Sequence, residues 1–149
     1  LLEHDPALAA ELDAKFKPFY GLKGPAAAVA LGNSEGFRVT EQQARTLDRA
    51  MKEWTLGQVR NLYDQALQGR GEHIMTFDEL PRQAQTVLAS VAFQYGPALA
   101  KRTPRFWGHM IRQDWAAAIR ELENFGDNYA PRRQREAGLL RSLPGSGRP

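Results

Sequence analysis

The 149-residue chain contains no cysteine. Disulfides, thiol nucleophiles and Cys-ligated metals are therefore excluded, and the redox compartment is left open. Long apolar runs are missing as well: nowhere do about 18 apolar residues follow one another, so no membrane span is expected, and no basic-then-apolar start reads as a signal peptide. Histidine is scarce. His4, His73 and His109 stand far apart without an i, i+4 pair, so no metal site is expected. The glycines of "GLKG" and "LGNSEG" lack the strand-to-helix setting and the Lys-Ser/Thr of a phosphate cradle, and no cofactor is expected. Alternating apolar and polar runs and Asn-Gly hairpins are absent, which leaves no signal for a strand.

What is present suits one ordinary globular domain: 42% of the residues are hydrophobic, enough for a real core at this length. The net charge of +3 is uneven. Residues 1–100 carry 10 Lys and Arg against 12 Asp and Glu, whereas residues 101–149 carry 10 against 5. Such a basic third serves nucleic acid, an anionic membrane surface or an anionic wall polymer, because clustered Arg attracts any polyanion. Aromatics interleaved with the Arg, or a reading helix, would mark a nucleic-acid binder. Neither is found, and a nucleic-acid partner is not expected.

Helix signals follow one another along the chain. Asp5 and Pro6 open a helix carrying Leu8, Leu12 and Phe16 at helical spacing, and Pro18 ends it. A glycine-rich loop with a short Ala-rich helix follows. Thr40 and Gln43 form a capping box ahead of a helix with Ala44, Leu47 and Met51 on one face, and a further helix runs through "LGQVRNLYDQAL" with Val59, Leu62, Tyr63 and Leu67 inward. Thr76 and Glu79 make a second capping box just before Pro81. Thr103 and Pro104 start "PRFWGHMIRQ", Asp114 caps "WAAAIRELENF", and "PRRQREAGLLRSL" reads as an amphipathic helix before a "PGSGRP" tail. The expectation is an all-α chain.

"QTVLASVAFQYG", residues 85–96, is apolar nearly all round, as in a helix without a solvent face, yet it ends in Gln94, Tyr95 and Gly96. A polar amide at the end of a buried helix costs free energy unless it is bonded or faces a cavity. Ser90 lies one turn before Gln94, so both leave the same side of the helix, either as a pair satisfied by neighbouring backbone or as a polar strip facing a cleft. "NFGDNYAPRRQREA" gathers Asn124, Asp127, Asn128, Tyr129, Arg132, Arg133 and Arg135 around a turn, either as caps and solvated Arg or as a rim for a polar ligand.

Residues 77–140, from "FDELPRQAQTVLASVAFQYG" through "RTPRFW" and "DWAAAIRELENFGD" to "RRQREAGLL", resemble the C-terminal helical lobe of the phage-type lysozyme family, and within it the pesticin-like bacteriolytic domains of bacteriocins and type VI secretion effectors. "FKPFYGLKG" and "VTEQQARTLDRAM" resemble, more weakly, the elements that join the family's two lobes. The resemblance implies a mainly α, lysozyme-like helical lobe, with the small N-terminal lobe not in this chain. Residues 1–39 are then linker and short helices, 40–143 the helical core, and 144–149 a flexible tail. The implied activity is that of a muramidase, hydrolysing the β-1,4 bond between N-acetylmuramic acid and N-acetylglucosamine, on peptidoglycan glycan strands in the periplasm of a target bacterium. A cognate immunity protein is the further partner it implies.

Family members carry the general-acid Glu in an N-terminal segment, and none of Glu3, Asp5 or Glu35 matches it. The acid is expected upstream of Leu1, so the chain is expected to be a piece of a longer protein. By the same resemblance, Arg133 stands where the family keeps an Arg that pairs with the catalytic Glu, and Gln94, Tyr95, Asn128 and Tyr129 are substrate-binding candidates. Two other readings stay open: a non-catalytic wall-binding or structural module that retains the helical lobe, and a basic helical nucleic-acid binder, whose affinity would fall steeply with salt.

Overall fold

The computed structural model describes residues 5–71 and 74–144. Glu3, His4, His73 and the 145–149 part of the expected tail lie outside the described residues. Eight α-helices make up the described chain: α1 (Pro6–Phe16), α2 (Gly24–Asn33), α3 (Glu41–Leu67), α4 (Arg82–Tyr95), α5 (Leu99–Arg102), α6 (Pro104–Ile111), α7 (Trp115–Glu123) and α8 (Ala130–Arg141). Short 3-10 turns stand at Lys17–Phe19 and Phe77–Glu79, and there is no strand among the described residues. The chain forms two compact units, Leu1–Glu53 and Trp54–Pro149.

In the first unit, Asp5 caps α1 by accepting the Leu8 N–H at 3.0 Å, with Pro6 in the first turn, as its side-chain chemistry dictates. The Thr40 hydroxyl accepts the Gln43 N–H at 3.1 Å while the Gln43 carbonyl accepts the Thr40 N–H at 2.9 Å, closing a capping box at the start of α3. Gln43 also bonds Glu11 and Lys15 of α1, which accounts for its burial. Phe37 meets Phe16 and Phe19 edge to face, with ring centroids at 5.3 and 4.9 Å. Met51, read on one face of α3 with Ala44 and Leu47, is 56% exposed.

The second unit holds the main core. Val59, Tyr63, Phe77, Leu88, Phe106 and Met110 are wholly buried in one apolar cluster. Tyr63 stands edge to face against Phe77 at 5.9 Å and Trp107 at 6.0 Å. Its hydroxyl donates to the Met110 carbonyl and accepts from Gln113 Nε2, so a polar tip in the core is satisfied. Burial pushes that phenol up to about 12. Gln113 holds a left-handed backbone, φ 55°, and its side-chain bonds to Tyr63 and to the Met75 carbonyl offset that strain.

Several elements differ from the sequence reading. The two helices read in "VTEQQARTLDRAMKEW" and "LGQVRNLYDQAL" are one 27-residue helix that runs on through Thr55 and Gly57, an interior glycine costing only about 1 kcal/mol. Helix α5 was unforeseen, being one turn long and too short to show a period. The Thr103 side chain does not cap α6; it donates back to the Leu99 carbonyl at 3.2 Å, a bond only a preceding helix offers. Helix α8 is not amphipathic in the expected sense, since Arg133 and Glu136 share its inward face with Ala137 and Leu140. Helix α4 buries Ala84, Val87, Leu88, Val91 and Ala92, yet Phe93 on its other side is 40% exposed, so it does have an open face.

Gly96 ends α4 at φ 83°, ψ 164°, donating its N–H to the Ala92 carbonyl at 2.8 Å. This region is essentially open to glycine alone. A Cβ there would touch nothing within 4 Å, so the whole cost of a substitution is backbone strain. Gly96→Ala is expected to lower stability by about 1–3 kcal/mol, read as an earlier urea midpoint with an unchanged slope.

Candidate functional site

The C-terminal end of α4 answers the question its polar residues raise. Gln94 and Tyr95 face the start of α8 and the turn before it, where Asp127 and Arg133 stand. Arg133 is only 2% exposed. Its guanidinium is held on every edge: Nε donates to Asp127 at 2.9 Å, Nη1 to Glu136, and Nη2 to the Gln94 side-chain carbonyl. One face lies over Phe125, 4.6 Å from the ring centroid, and Tyr95 lies at 5.7 Å.

Both acids are themselves bonded. Asp127 accepts the Tyr95 hydroxyl at 2.7 Å and the Tyr129 N–H at 3.0 Å. Burial would raise its carboxyl, but the bonds from Tyr95, Arg133 and the Tyr129 N–H, with the charge of the guanidinium, outweigh it and leave Asp127 below its ordinary value. The Tyr95 phenol moves the other way, raised by burial and by its bond to the negative Asp127. Glu136, 3% exposed, accepts Ser90 Oγ at 2.5 Å and lies 3.4 Å from Arg132 Nε. Arg132 in turn donates to the Ser90 carbonyl at 2.8 Å.

Ser90 and Gln94 therefore do not cap neighbouring backbone of their own helix; both reach side chains of α8. One atom is left over. The Gln94 Nε2 is buried without a hydrogen-bond partner among the described residues. Its identity follows from its neighbour: a guanidinium only donates, so the amide oxygen must face Arg133 and the orphan is the NH2 group. A buried donor without an acceptor is costly.

Two open cavities border the network. One of about 450 Å3 is lined by Leu56, Ala89, Phe93, Ser90 and Arg132. Another of about 380 Å3 is lined by Tyr95, Phe125, Asp127, Arg102 and Arg105. The sequence candidates sort plainly. Gln94, Tyr95 and Arg133 meet in one cluster, whereas the side chains of Asn128 and Tyr129 are exposed beside it, Tyr129 joining only through its backbone. Ser90 and Asp127 stood out in the sequence without an assigned role. Glu136 and Phe125 were missed, since no local signal tells which face of α8 meets α4 some 40 residues away. His109 bonds Arg112, and no group of three His, Asp or Glu side chains converges among the described residues.

The geometry defines a helical lobe with a polar, charge-balanced network of side chains that joins the end of α4 to the start of α8. The chain belongs to the pesticin family, described as the C-terminal part of a bacterial toxin homologous to phage lysozyme, whose model matches residues 3–116. Gln94 and Tyr95 lie inside the matched span, while Asp127, Arg133 and Glu136 lie beyond it. No curated protein matches the chain.

Proposed function

We propose that this protein is a peptidoglycan hydrolase of the muramidase type and acts as an antibacterial effector in the periplasm of a target cell, with residues 1–143 forming one lysozyme-like helical domain. The observation that carries this reading is the family match, which supports a glycosidase. Tyr95, Asn128 and Tyr129 form the polar rim of the site.

Glycoside hydrolysis needs an acid with a raised pKa to protonate the leaving oxygen. Asp127 lies below its ordinary value, and Glu136 is tied to two guanidiniums. Neither suits that task. The cluster therefore binds and orients, with Arg133 as a support, and the acid is a carboxylate outside it. The basic third offers less free charge than its composition suggests, because Arg132, Arg133 and Arg141 bond acids within the chain; this favours the wall over a nucleic-acid partner.

Digestion of purified peptidoglycan by the 149-residue chain, with product analysis, tests this reading. New reducing-end muramic acid is the expected product, and Gln94→Ala should slow its release by about tenfold. Failure to cleave, with wall binding retained, would overturn the enzyme in favour of a non-catalytic wall-binding module.

A further inference from the structure

We propose that the open cavity along the outer side of α4 is a docking groove for an acidic segment of a partner protein, one that offers a large apolar side chain between two carboxylates. Its long wall is a single stripe of α4. Arg82, Thr86, Ala89, Ser90 and Phe93 stand at helical spacing, i, i+4, i+7, i+8 and i+11, and all of them line the same cavity of about 450 Å3. Leu56 of α3 and Arg132 of α8 contribute from the neighbouring helices. From Arg82 to Ser90, where Arg132 is bonded, the wall is about 12 Å long at a rise of about 1.5 Å per residue. That matches two turns of a docked helix. Neither Gln94 nor Arg133 lines this cavity, so the proposal is independent of the glycan reading.

What the groove leaves open decides the chemistry. Its polar side chains are engaged by the protein itself: Thr86 Oγ1 donates to the Arg82 carbonyl at 2.8 Å, Gln85 Nε2 to the Leu80 carbonyl at 2.9 Å, and the Ser90 hydroxyl donates to Glu136 and accepts from Arg132. A sugar is read by free donors and acceptors, and few are left here. Apolar surface and positive charge remain. Phe93 is 40% exposed although its helix buries Val87, Leu88 and Val91, and Leu56 and Ala89 line the cavity with it. No carboxylate lines the cavity, and Arg82 is exposed with no ion pair among the described residues. Arg132 is pinned through Nε and Nη2 to Ser90 and Glu136, so its Nη1 is held in place without an acceptor among the described residues. A guanidinium fixed beforehand loses little freedom when a carboxylate meets it. Lipid-binding patches gather about four to eight cations, whereas two stand here. An amphipathic helix with one apolar anchor against Phe93 and an Asp or Glu a turn to either side complements both the shape and the charge.

The test is a titration of the 149-residue chain with a synthetic helical peptide that carries two Glu about two turns apart and a Leu between them, read by the anisotropy of a dye on the peptide. Phe93→Ala and Arg82→Glu are each expected to weaken binding by about tenfold, and raising the salt from about 50 to about 500 mM should weaken it as well. Replacing the Glu that meets Arg82 by Lys should restore binding to Arg82→Glu and to no other variant. The backbone amide resonances of Ala89 and Phe93 should shift on adding the peptide, while that of Asn128 stays. Should Phe93→Ala lose its fold, Ala89→Glu, which sets an acid in the groove against the acids of the peptide, decides the question.

Equal affinity for the same peptide with Gln in place of Glu would overturn the acidic partner. Binding that survives both Phe93→Ala and Arg82→Glu, or no binding at a peptide concentration of about 1 mM, would overturn the groove. Two other occupants have signatures of their own, and either would replace the proposal. Dimers of the chain alone in sedimentation, dissociated by Phe93→Ala, would assign the groove to a second copy. Co-pelleting with phosphatidylglycerol vesicles that Arg82→Glu abolishes, without peptide binding, would assign it to a lipid surface.

Discussion

Replacing Arg133 by methionine is expected to destabilise the chain by about 3–5 kcal/mol, a large fraction of what holds an ordinary domain together. The methionine keeps the length and packs against Phe125, so lost apolar contact is a small part of the effect. The damage is electrostatic. Asp127 and Glu136 lose a common cation in a place where the Glu136 side chain is 4% and the Asp127 side chain 13% exposed. Breaking a buried pair from one side leaves an uncompensated charge, whereas removing both sides costs far less. The double variant Arg133→Met, Glu136→Gln should therefore recover part of the loss. Urea unfolding of the two variants checks the sign: a double variant less stable than Arg133→Met would show that packing, and not charge, governs the site. Arg133→Lys should not rescue, since an ammonium cannot reach Asp127, Glu136 and Gln94 along three edges of one plane.

Phe106→Ala is expected to cost about 3–5 kcal/mol, the usual range for a fully buried phenylalanine. Here the cavity has a second consequence. Phe106 stands edge to face against Phe125 at 6.3 Å, and Phe125 is the floor beneath the Arg133 guanidinium. A hole on one side of Phe125 loosens the other. The variant should thus lose glycan affinity as well as stability, and both are measurable on the same sample. Phe106→Leu, which fills most of the volume, should lose less of each. Equal losses in the two variants would mean that the ring contact, not the volume, is what matters.

Local chemistry was the most legible part of the chain. Asp5 and Asp114 cap where a short carboxylate must, Thr40 with Gln43 and Thr76 with Glu79 close their boxes, and α4 begins directly after Pro81. These are decided within four residues, so a sequence displays them. Thr103 shows the limit of such rules: its hydroxyl could accept a first-turn N–H of α6 or donate back to a carbonyl, and the choice depended on a helix, α5, too short to announce itself. Gly57 shows another, since one interior glycine, at about 1 kcal/mol, does not break a helix of 27 residues.

The site was half legible. Gln94, Tyr95 and Arg133 were reached through motif resemblance, and all three belong to one cluster. Glu136 was not, because it reads as one more charge on a basic helix, and only the packing of α8 against α4 turns that charge inward. Polarity on an inward face runs against the pattern by which helices are recognised. Arg133 and Glu136 are kept inside at the expense of apolar area, and only the packing of the two helices reveals it.

The five α4 residues at the bottom of the core also set a clock. The amides of the buried Val87, Leu88, Val91 and Ala92 are enclosed by their own helix and by the packing around it, so their protons are expected to be reachable by solvent only when the second unit opens as a whole. The rate at which deuterium enters at Leu88 then reports the global free energy of that unit. The cap at Gly96 and the exposed turn at Asn128 exchange by local fraying instead, within the folded protein. A ligand held at Gln94 would slow the fraying end first and the deep end by the full binding free energy, so the two sets of amides distinguish a local from a global tightening.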